Sequence, residues 1–170
     1  MNHRSTGPSP GLGPDAVLGT EHDHAACADL WSRALAHRDG TAPDPVIRER
    51  VLRKLGMAPR LLLVLRSGEH GDLVGFSLSF PPSAEDPSRT AHLAYLALDP
   101  RGQGRGRGRR LLAATVEHLS GTADAVVLEV LPANAAARAL YESSGWRAVG
   151  EGRFEDSGRP NVVYHRDLER

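Results

Sequence analysis

Apolar residues follow two rhythms along this chain. Leu61 to Leu65 and Leu73 to Phe80 are short apolar runs separated by the polar, glycine-containing segment Ser67 to Asp72, a spacing that predicts an antiparallel hairpin. Ala91 to Leu98 is another run, continuous enough to predict a strand buried on both faces. Val126 to Leu131, Trp146 to Glu151 and Asn161 to Leu168 are read as further strands, and Ala16 to Leu18 as a short first one. Elsewhere the apolar positions recur at helical spacing. Ala26, Leu30, Ala34 and Leu35 predict a helix over 22–37. Val46, Val51, Leu52 and Leu55 predict a second over 44–55, with these residues as its buried stripe and Gly56 as its stop. Leu111, Leu112, Val116 and Leu119 predict a third, and 134–143 a short fourth that ends at Gly145.

The order of elements narrows the fold. Strand, helix and strand over about forty residues from Ala91 make a βαβ unit, whose two strands are therefore expected to be parallel. The remainder is a mixed α/β sheet with helices on its faces, and no internal repeat is visible. Residues 1–14 are rich in proline and glycine and nearly free of apolar side chains, so they are expected to be a flexible tail. Residues 15–170 then form one domain, long enough to bury a core of its own.

Composition changes this picture little. Formal net charge is zero, so no global field draws the chain to nucleic acid or to an anionic membrane. No apolar run reaches the ~18 residues of a membrane span, and no signal-peptide pattern is seen, so a cytoplasmic address is expected. Cys27 is the sole cysteine, which excludes an intramolecular disulfide, and its helical surroundings suit a small core residue. His22, Asp23 and His24 are read as exposed capping residues at a helix start, and no metal is assigned.

Local charge is more informative. Arg101, Arg105, Arg107, Arg109 and Arg110 fall within ten residues, in the run Arg101-Gly102-Gln103-Gly104-Arg105-Gly106-Arg107-Gly108 between a buried strand and a helix. A helix start there presents unpaired backbone amides to an anion, and glycines let the backbone approach a phosphate closely. A diphosphate is the natural ligand. The run lacks the Gly-Lys-Ser/Thr of a Walker A loop and the G-x-G-x-x-G of a dinucleotide fingerprint. An RGG-type RNA-binding segment would lie in a disordered chain, and this run is embedded between regular elements. A plain basic surface turn is the remaining alternative.

Leu96-Ala97-Leu98-Asp99-Pro100, followed by Arg101-x-x-Gly104-x-Gly106, resembles motif A of the GNAT acetyltransferases, Q/R-x-x-G-x-G/A. Leu128-Glu129-Val130, then Asn134, Ala137, Tyr141 and Gly145-Trp146, resembles motif B of the same family, with Trp146 in place of the usual Phe. The likeness is close over about residues 91–150. It implies the GNAT fold: a mixed sheet of about six to seven strands, flanked by about four helices, around a βαβ acetyl-CoA-binding core. It implies acetyl-CoA as co-substrate, with Leu96, Ala97 and Leu98 along the pantetheine arm and Leu96 and Leu98 giving the backbone hydrogen bonds. Gln103, Gly104, Arg105, Gly106, Arg107, Gly108 and Arg109, with Arg101 at the head of the motif, would cradle the diphosphate. Asn134 would contact the pantetheine; it also stands where a helix N-cap belongs, and one side chain can do both.

The family likeness also points to the chemistry. A CoA thiolate leaves when an amine attacks the thioester, and Tyr141 is the expected acid that protonates it; the competing reading is a core tyrosine with a satisfied hydroxyl. An ammonium must first lose a proton to a base or to a water chain, and Glu129 is the candidate base, since burial in an apolar strand would raise its pKa. The Glu129/Tyr141 spacing resembles that of bacterial ribosomal-protein alanine acetyltransferases. His92, Tyr95, Glu85 and Asp86 are alternative bases, and a solvated edge carboxylate is the bland reading of Glu129. The expected acceptor is a small-molecule primary amine, with carboxylates such as Glu155 and Asp156 suited to an ammonium. A protein N-terminus is the second reading, although the segment 152–160 lacks the paired tyrosines usual in peptide acetyltransferases. A non-catalytic acyl-CoA-binding domain is the third, and an intact Tyr141 argues against it. A monomer or homodimer is expected.

Overall fold

The computed structural model describes residues 16–68, 71–102 and 104–169. The expected tail at 1–14 and Gln103 lie outside them. Strands β1 (Val17–Leu18), β2 (Leu61–Arg66), β3 (Leu73–Phe80), β4 (Thr90–Leu98), β5 (Ala125–Val130), β6 (Arg147–Arg153) and β7 (Pro160–Asp167) form one sheet in the order β1-β2-β3-β4-β5-β7-β6. Only β4 and β5 run parallel, as the βαβ reading requires. Helices α1 (His24–Asp39) and α2 (Pro45–Leu55) cover one face, where Cys27, Leu30, Val51 and Leu55 pack on Phe76 and Tyr95. Helices α3 (Arg107–Leu119) and α4 (Ala135–Ser143) cover the other, where Leu112, Leu119 and Tyr141 pack on Leu128 and Tyr164. Among the described residues no helix is long and apolar enough to cross a membrane.

Three sequence expectations are corrected. Helix α1 begins two residues late, after a 3₁₀ turn at Glu21–Asp23, and buries Cys27, Ala28, Leu30, Ser32 and Ala36 in place of a stripe through Ala26. Asp23 sets this start. It is buried, accepts a hydrogen bond from the Thr20 amide at 2.8 Å and pairs with Arg66, so it caps from the interior and not from solvent. In α2, Val46 is exposed because it belongs to the first turn, where its amide donates to the Asp44 carboxylate at 2.8 Å. Strand β4 is not buried on both faces. Only alternate residues, Ala91, Leu93, Tyr95 and Ala97, are fully covered.

The reason lies in the partner of β4. Pairing with β5 covers only Thr90↔Ala125, Ala91↔Val126 and His92↔Val127. Beyond that point β5 continues beside β7, and β4 continues beside β3, so the two central strands part. A bulge sits at the fork. Leu78 pairs with Tyr95 and Ser79 with Leu93, which leaves Ala94 without an opposite number. A bulge bends its strand and shifts the side-chain alternation by one. Ala91 and Leu93 therefore pack towards α3 and α4, whereas Tyr95 and Ala97 pack towards α1 and α2.

Candidate active site

The fork makes an opening through the centre of the sheet, with one wall of bare backbone. The Asp99 amide donates to the Val74 carbonyl at 2.8 Å, which fixes the phase of the β3–β4 ladder. Hydrogen-bonded pairs alternate along an antiparallel ladder, so Ala97 opposite Phe76 and Tyr95 opposite Leu78 spend their N–H and C=O groups on β3. Leu96 and Leu98 point theirs the other way, into the opening. The sequence expectation named Leu96, Ala97 and Leu98 together; the backbone of Ala97 is committed to β3.

At the end of that wall lies the glycine–arginine loop. A 3₁₀ turn at Pro100–Gly102 leads out of β4, and α3 starts after Gly106. Gly104 and Gly106 have φ of 82° and 72°, in the left-handed region that glycine enters without strain. Gly106 gives no side-chain cap, so the first-turn amides of α3 at Arg107, Gly108 and Arg109 have no partner within the helix. Gly108 is buried where a Cβ would stand 3.1 Å from Leu98 Cδ1 and 3.3 Å from Leu140 Cδ2, so its lack of a side chain brings the helix start close to β4 and α4.

The arginines of this segment divide. Arg101 donates to both carboxylate oxygens of Asp99, at 3.0 and 2.7 Å, and its guanidinium, with the backbone amide of the same residue, holds the Asp99 carboxyl down at about 2. Arg109 is tied to the end of α4, donating to the Ser143 carbonyl at 3.1 Å and to its hydroxyl at 2.9 Å. Its side chain thus staples α3 to α4, and only its amide faces the helix entrance. The Arg105 side chain is exposed at the loop.

Behind the opening, on the α3/α4 side, stands Tyr141. Asn134 caps α4 by accepting from the Ala137 amide at 3.2 Å, which fixes the helix that carries the tyrosine. The ring packs at 5.9 Å from Trp146 and 5.8 Å from Tyr164, in a cluster with Leu93 and Val130 that flank the fork. Burial pushes its phenol well above the ordinary range, so it stays protonated at neutral pH. Among the described residues its hydroxyl takes part in no hydrogen bond. Tyr164 is the contrast: its hydroxyl donates to Glu142 Oε1 at 2.5 Å and accepts from Arg138 Nε at 3.1 Å. One tyrosine of this pair is satisfied by the fold; the other keeps its hydroxyl unengaged.

The α1/α2 side of the fork holds side-chain chemistry. Glu129 alternates with the buried Leu128 and Val130 and therefore faces away from α4. His92, the last β4 residue paired with β5, meets it there, with Nε2 2.6 Å from Glu129 Oε2. The sequence expectation of a buried carboxyl with a raised pKa is corrected. The His92 hydrogen bond outweighs desolvation and, with smaller contributions from the charges of His92 and Lys54, holds Glu129 below the usual carboxylate range. Lys54 lies 5.3 Å over the Tyr95 ring, which itself stacks with Trp31 at 4.4 Å. Burial, aided by Asp156, pushes the Tyr95 hydroxyl up to about 12. Asp156, in the β6–β7 loop, is held by Arg50 of α2 at 2.8 Å, so it is not a free carboxylate awaiting an ammonium. Asp86 is turned inward on its own loop, accepting from the Ser88 amide at 2.9 Å. Cys27 is buried, with its thiol pushed up to about 12 by desolvation, as a core residue should be.

The fold therefore brings Leu96, Leu98, the start of α3 and Tyr141 together beside one opening and places His92 and Glu129 at its apex, while Asn134 stands at the end of α4 remote from the contact with α3. The His92–Glu129 pairing, Lys54 and the Arg50–Asp156 bridge are what sequence reasoning did not join, because the partners come from separate elements. Glutamate in an apolar strand and histidine in the preceding one were the only signals.

Comparison with known proteins gives a consistent result. Residues 25–146 match the model of the Acetyltransferase (GNAT) family. The chain is 33% identical over 150 residues to the N-alpha-acetyltransferase RimI of Mycobacterium tuberculosis, covering 87% of this chain and 89% of that protein. It is 36% identical over 137 residues to the mycothiol acetyltransferase of Beutenbergia cavernae, covering 77% of this chain but 43% of that longer protein. The structure of yncA from Salmonella typhimurium, solved with its cofactor acetyl-CoA, shares the fold at a TM-score of 0.69 and 20% identity, covering 94% of this chain and 96% of that one.

Proposed function

The chain belongs to the GNAT acetyltransferase family and is an acetyl-CoA-dependent N-acetyltransferase; on that premise we propose that it acetylates the primary amine of a small molecule across the fork between β4 and β5. The fork carries this reading, because it is where backbone, amide and phenol groups suited to a CoA thioester meet side chains suited to an amine.

The residues fit acetyl-CoA in three ways. Leu96 and Leu98 offer backbone groups at the spacing with which a strand would bind amide-containing pantetheine. The uncapped start of α3, with Gly104 and Gly106 before it and Arg105 beside it, suits a diphosphate. Gly108 keeps that helix start close to the strand. When bound, the thioester supplies an activated acetyl group. Tyr141 then holds its proton for the departing sulfur: among the described residues its hydroxyl has no partner, and its raised pKa keeps it a donor. Asn134 caps α4, and its contact with the pantetheine is read from the family likeness alone.

The acceptor enters from the α1/α2 face. There Arg50 and Asp156 bridge α2 and the β6–β7 loop beside Tyr95, narrowing the approach and favouring a small amine. An N-terminal peptide is the second reading, favoured by the likeness to RimI along nearly the whole chain. Thiol release from acetyl-CoA, measured against amino acids, polyamines, aminoglycosides and peptides with free N-termini, decides between them. The small-molecule reading requires at least tenfold higher kcat/KM on one of the small amines than on any peptide, a difference of about 1.4 kcal/mol in transition-state binding. The reverse ranking contradicts it.

A further inference from the structure

We propose that His92, through Nδ1, is the general base that takes the proton from the acceptor ammonium, and that Glu129 is the residue that positions it. This deepens the acetyl-transfer reading and rests on it.

Glu129 is held below the usual carboxylate range, so its Oε2 can only accept in the 2.6 Å contact with His92. Nε2 must therefore carry the hydrogen. In the neutral ring the lone pair is then on Nδ1, and among the described residues Nδ1 has no hydrogen-bond partner. The arrangement is that of a carboxylate fixing the tautomer of an imidazole, with the opposite nitrogen left to react. The His92 side chain is 37% exposed, so this nitrogen is open to an incoming molecule.

Position supports the same assignment. His92 is the final residue of β4 to pair with β5, so it stands at the apex of the fork. The next residues carry the Ala94 bulge, and Leu96 and Leu98 line the opening beyond. Glu129 from β5 meets His92 directly; the other titratable or charged groups on this side of the sheet are Lys54, near Glu129, Arg50 and Asp156, near Tyr95, Tyr95 itself, and His165, opposite Val127. They compete poorly for the role. Tyr95 keeps its proton until about pH 12, Asp156 is bound to Arg50, and Glu129 is both engaged and too acidic. His165 lies beyond β5, opposite Val127 on the strand that borders β5 on its far side.

The proton and electron balance closes. The ammonium gives one proton to Nδ1, and the nitrogen lone pair forms a bond to the thioester carbonyl carbon. As the carbon–sulfur bond breaks, its electron pair stays on sulfur, which takes the Tyr141 proton. The second surplus proton on nitrogen leaves to restore the tyrosine through water. His92 releases its own to solvent, so one proton is liberated for each acetyl group transferred.

The test uses the full chain and two variants, His92→Gln and Glu129→Gln, with CoA release followed from pH 5.5 to 9.5 on the most active amine of the panel above. Wild type should show an acid limb and a plateau. His92→Gln should lose 10²–10³-fold in kcat, the range of general-base catalysis. Its rate should then rise about tenfold per pH unit without a plateau, as only free amine reacts. Glu129→Gln should keep a plateau about tenfold lower, because its amide oxygen still accepts from Nε2. Imidazole ¹⁵N spectra should show the Nε2–H tautomer in the wild type. An equal thermal shift by acetyl-CoA in all three proteins separates loss of the base from loss of the fold. His92→Gln with limb and plateau intact overturns the proposal, as does an Nδ1–H tautomer. Loss of the limb in Glu129→Gln alone also overturns it, and makes the carboxylate the base. Wild type that turns over no amine overturns the acetyl-transfer reading and this proposal with it.

Discussion

The two sides of the β4–β5 fork are built from different materials. On the α3/α4 side the groups proposed to bind the donor are largely backbone: Leu96 and Leu98 on one wall, and the amides at the start of α3 behind Gly104 and Gly106. Tyr141 stands there too, and among the described residues its hydroxyl has no hydrogen-bond partner. On the α1/α2 side nearly everything is side chain: His92 with Glu129, Lys54 over Tyr95, and Arg50 with Asp156. A nucleotide-bearing donor shared across a family can be met by backbone geometry, which tolerates changes in side-chain identity. An acceptor peculiar to one enzyme has to be met by side chains. The difference between the sides is thus a difference between what a family shares and what a member chooses.

The largest effect is expected from removing the unengaged hydroxyl of Tyr141. Tyr141→Phe keeps the ring contacts with Trp146 and Tyr164, so it should fold normally and lose about 10²–10³-fold in kcat with the KM for acetyl-CoA unchanged. Steady-state kinetics over a pH series checks this, and an unchanged rate would make Tyr141 a packing residue.

Backbone approach is tested next. Gly108→Val forces branched atoms between Leu98 and Leu140, where even a Cβ has little room. Overpacking of this kind costs about 1–3 kcal/mol. The KM for acetyl-CoA should rise tenfold or more, while the KM for the amine stays within twofold. If both rise together, the two sides are not separable.

Asp99→Asn probes the loop's support. The Asp99 carboxyl is depressed to about 2 in the fold, against roughly 3.9 in an unfolded chain. Its stabilisation is therefore fully present above about pH 4 and is lost as pH falls towards 2. The Arg101 partner is open to water, which screens the pair and limits the effect to about 1 kcal/mol. Denaturant unfolding should show that difference at pH 7 and its disappearance near pH 2; a difference that persists in acid would assign the effect to packing.

The smallest change is on the acceptor side. Arg50→Ala opens the bridge to Asp156, an exposed ion pair of about 0–1 kcal/mol, and should leave stability nearly unchanged. The ratio of peptide to small-amine kcat/KM should rise by up to about fivefold. No change in that ratio would mean that the bridge does not gate the acceptor.

The same contrast explains what the chain revealed as sequence. The glycine–arginine loop and the Asn134 cap lie in contiguous stretches whose spacing carries a physical requirement, and the structure has the cap; the role read for Tyr141 came from the family likeness. Leu96 and Leu98 came from the family likeness, and only the phase of the β3–β4 ladder turns their backbone groups into the opening. The bulge at Ala94 was not legible, because an apolar run looks the same with or without an extra residue. Nor was the partner of Glu129: burial suggested a raised pKa, and His92, 37 residues earlier, reverses it. Arg109 reads as a phosphate ligand until Ser143, 34 residues later, is seen to hold it. Arg50 and Asp156 are separated by 106 residues. Pairings of this kind are set by the tertiary fold, and local pattern does not record them.

If the parting of β4 from β5 is the acetyl-CoA site, amide hydrogen exchange resolved by residue will show it. With acetyl-CoA at about 100 times its Kd, the Leu96 and Leu98 amides and those of Arg107 to Arg109 should slow about tenfold or more, while Ala97, already bonded to β3, changes little. Saturating acetyl-CoA that raises the unfolding temperature yet leaves Leu96, Leu98 and the first turn of α3 exchanging at their original rates would place the cofactor elsewhere and contradict the account.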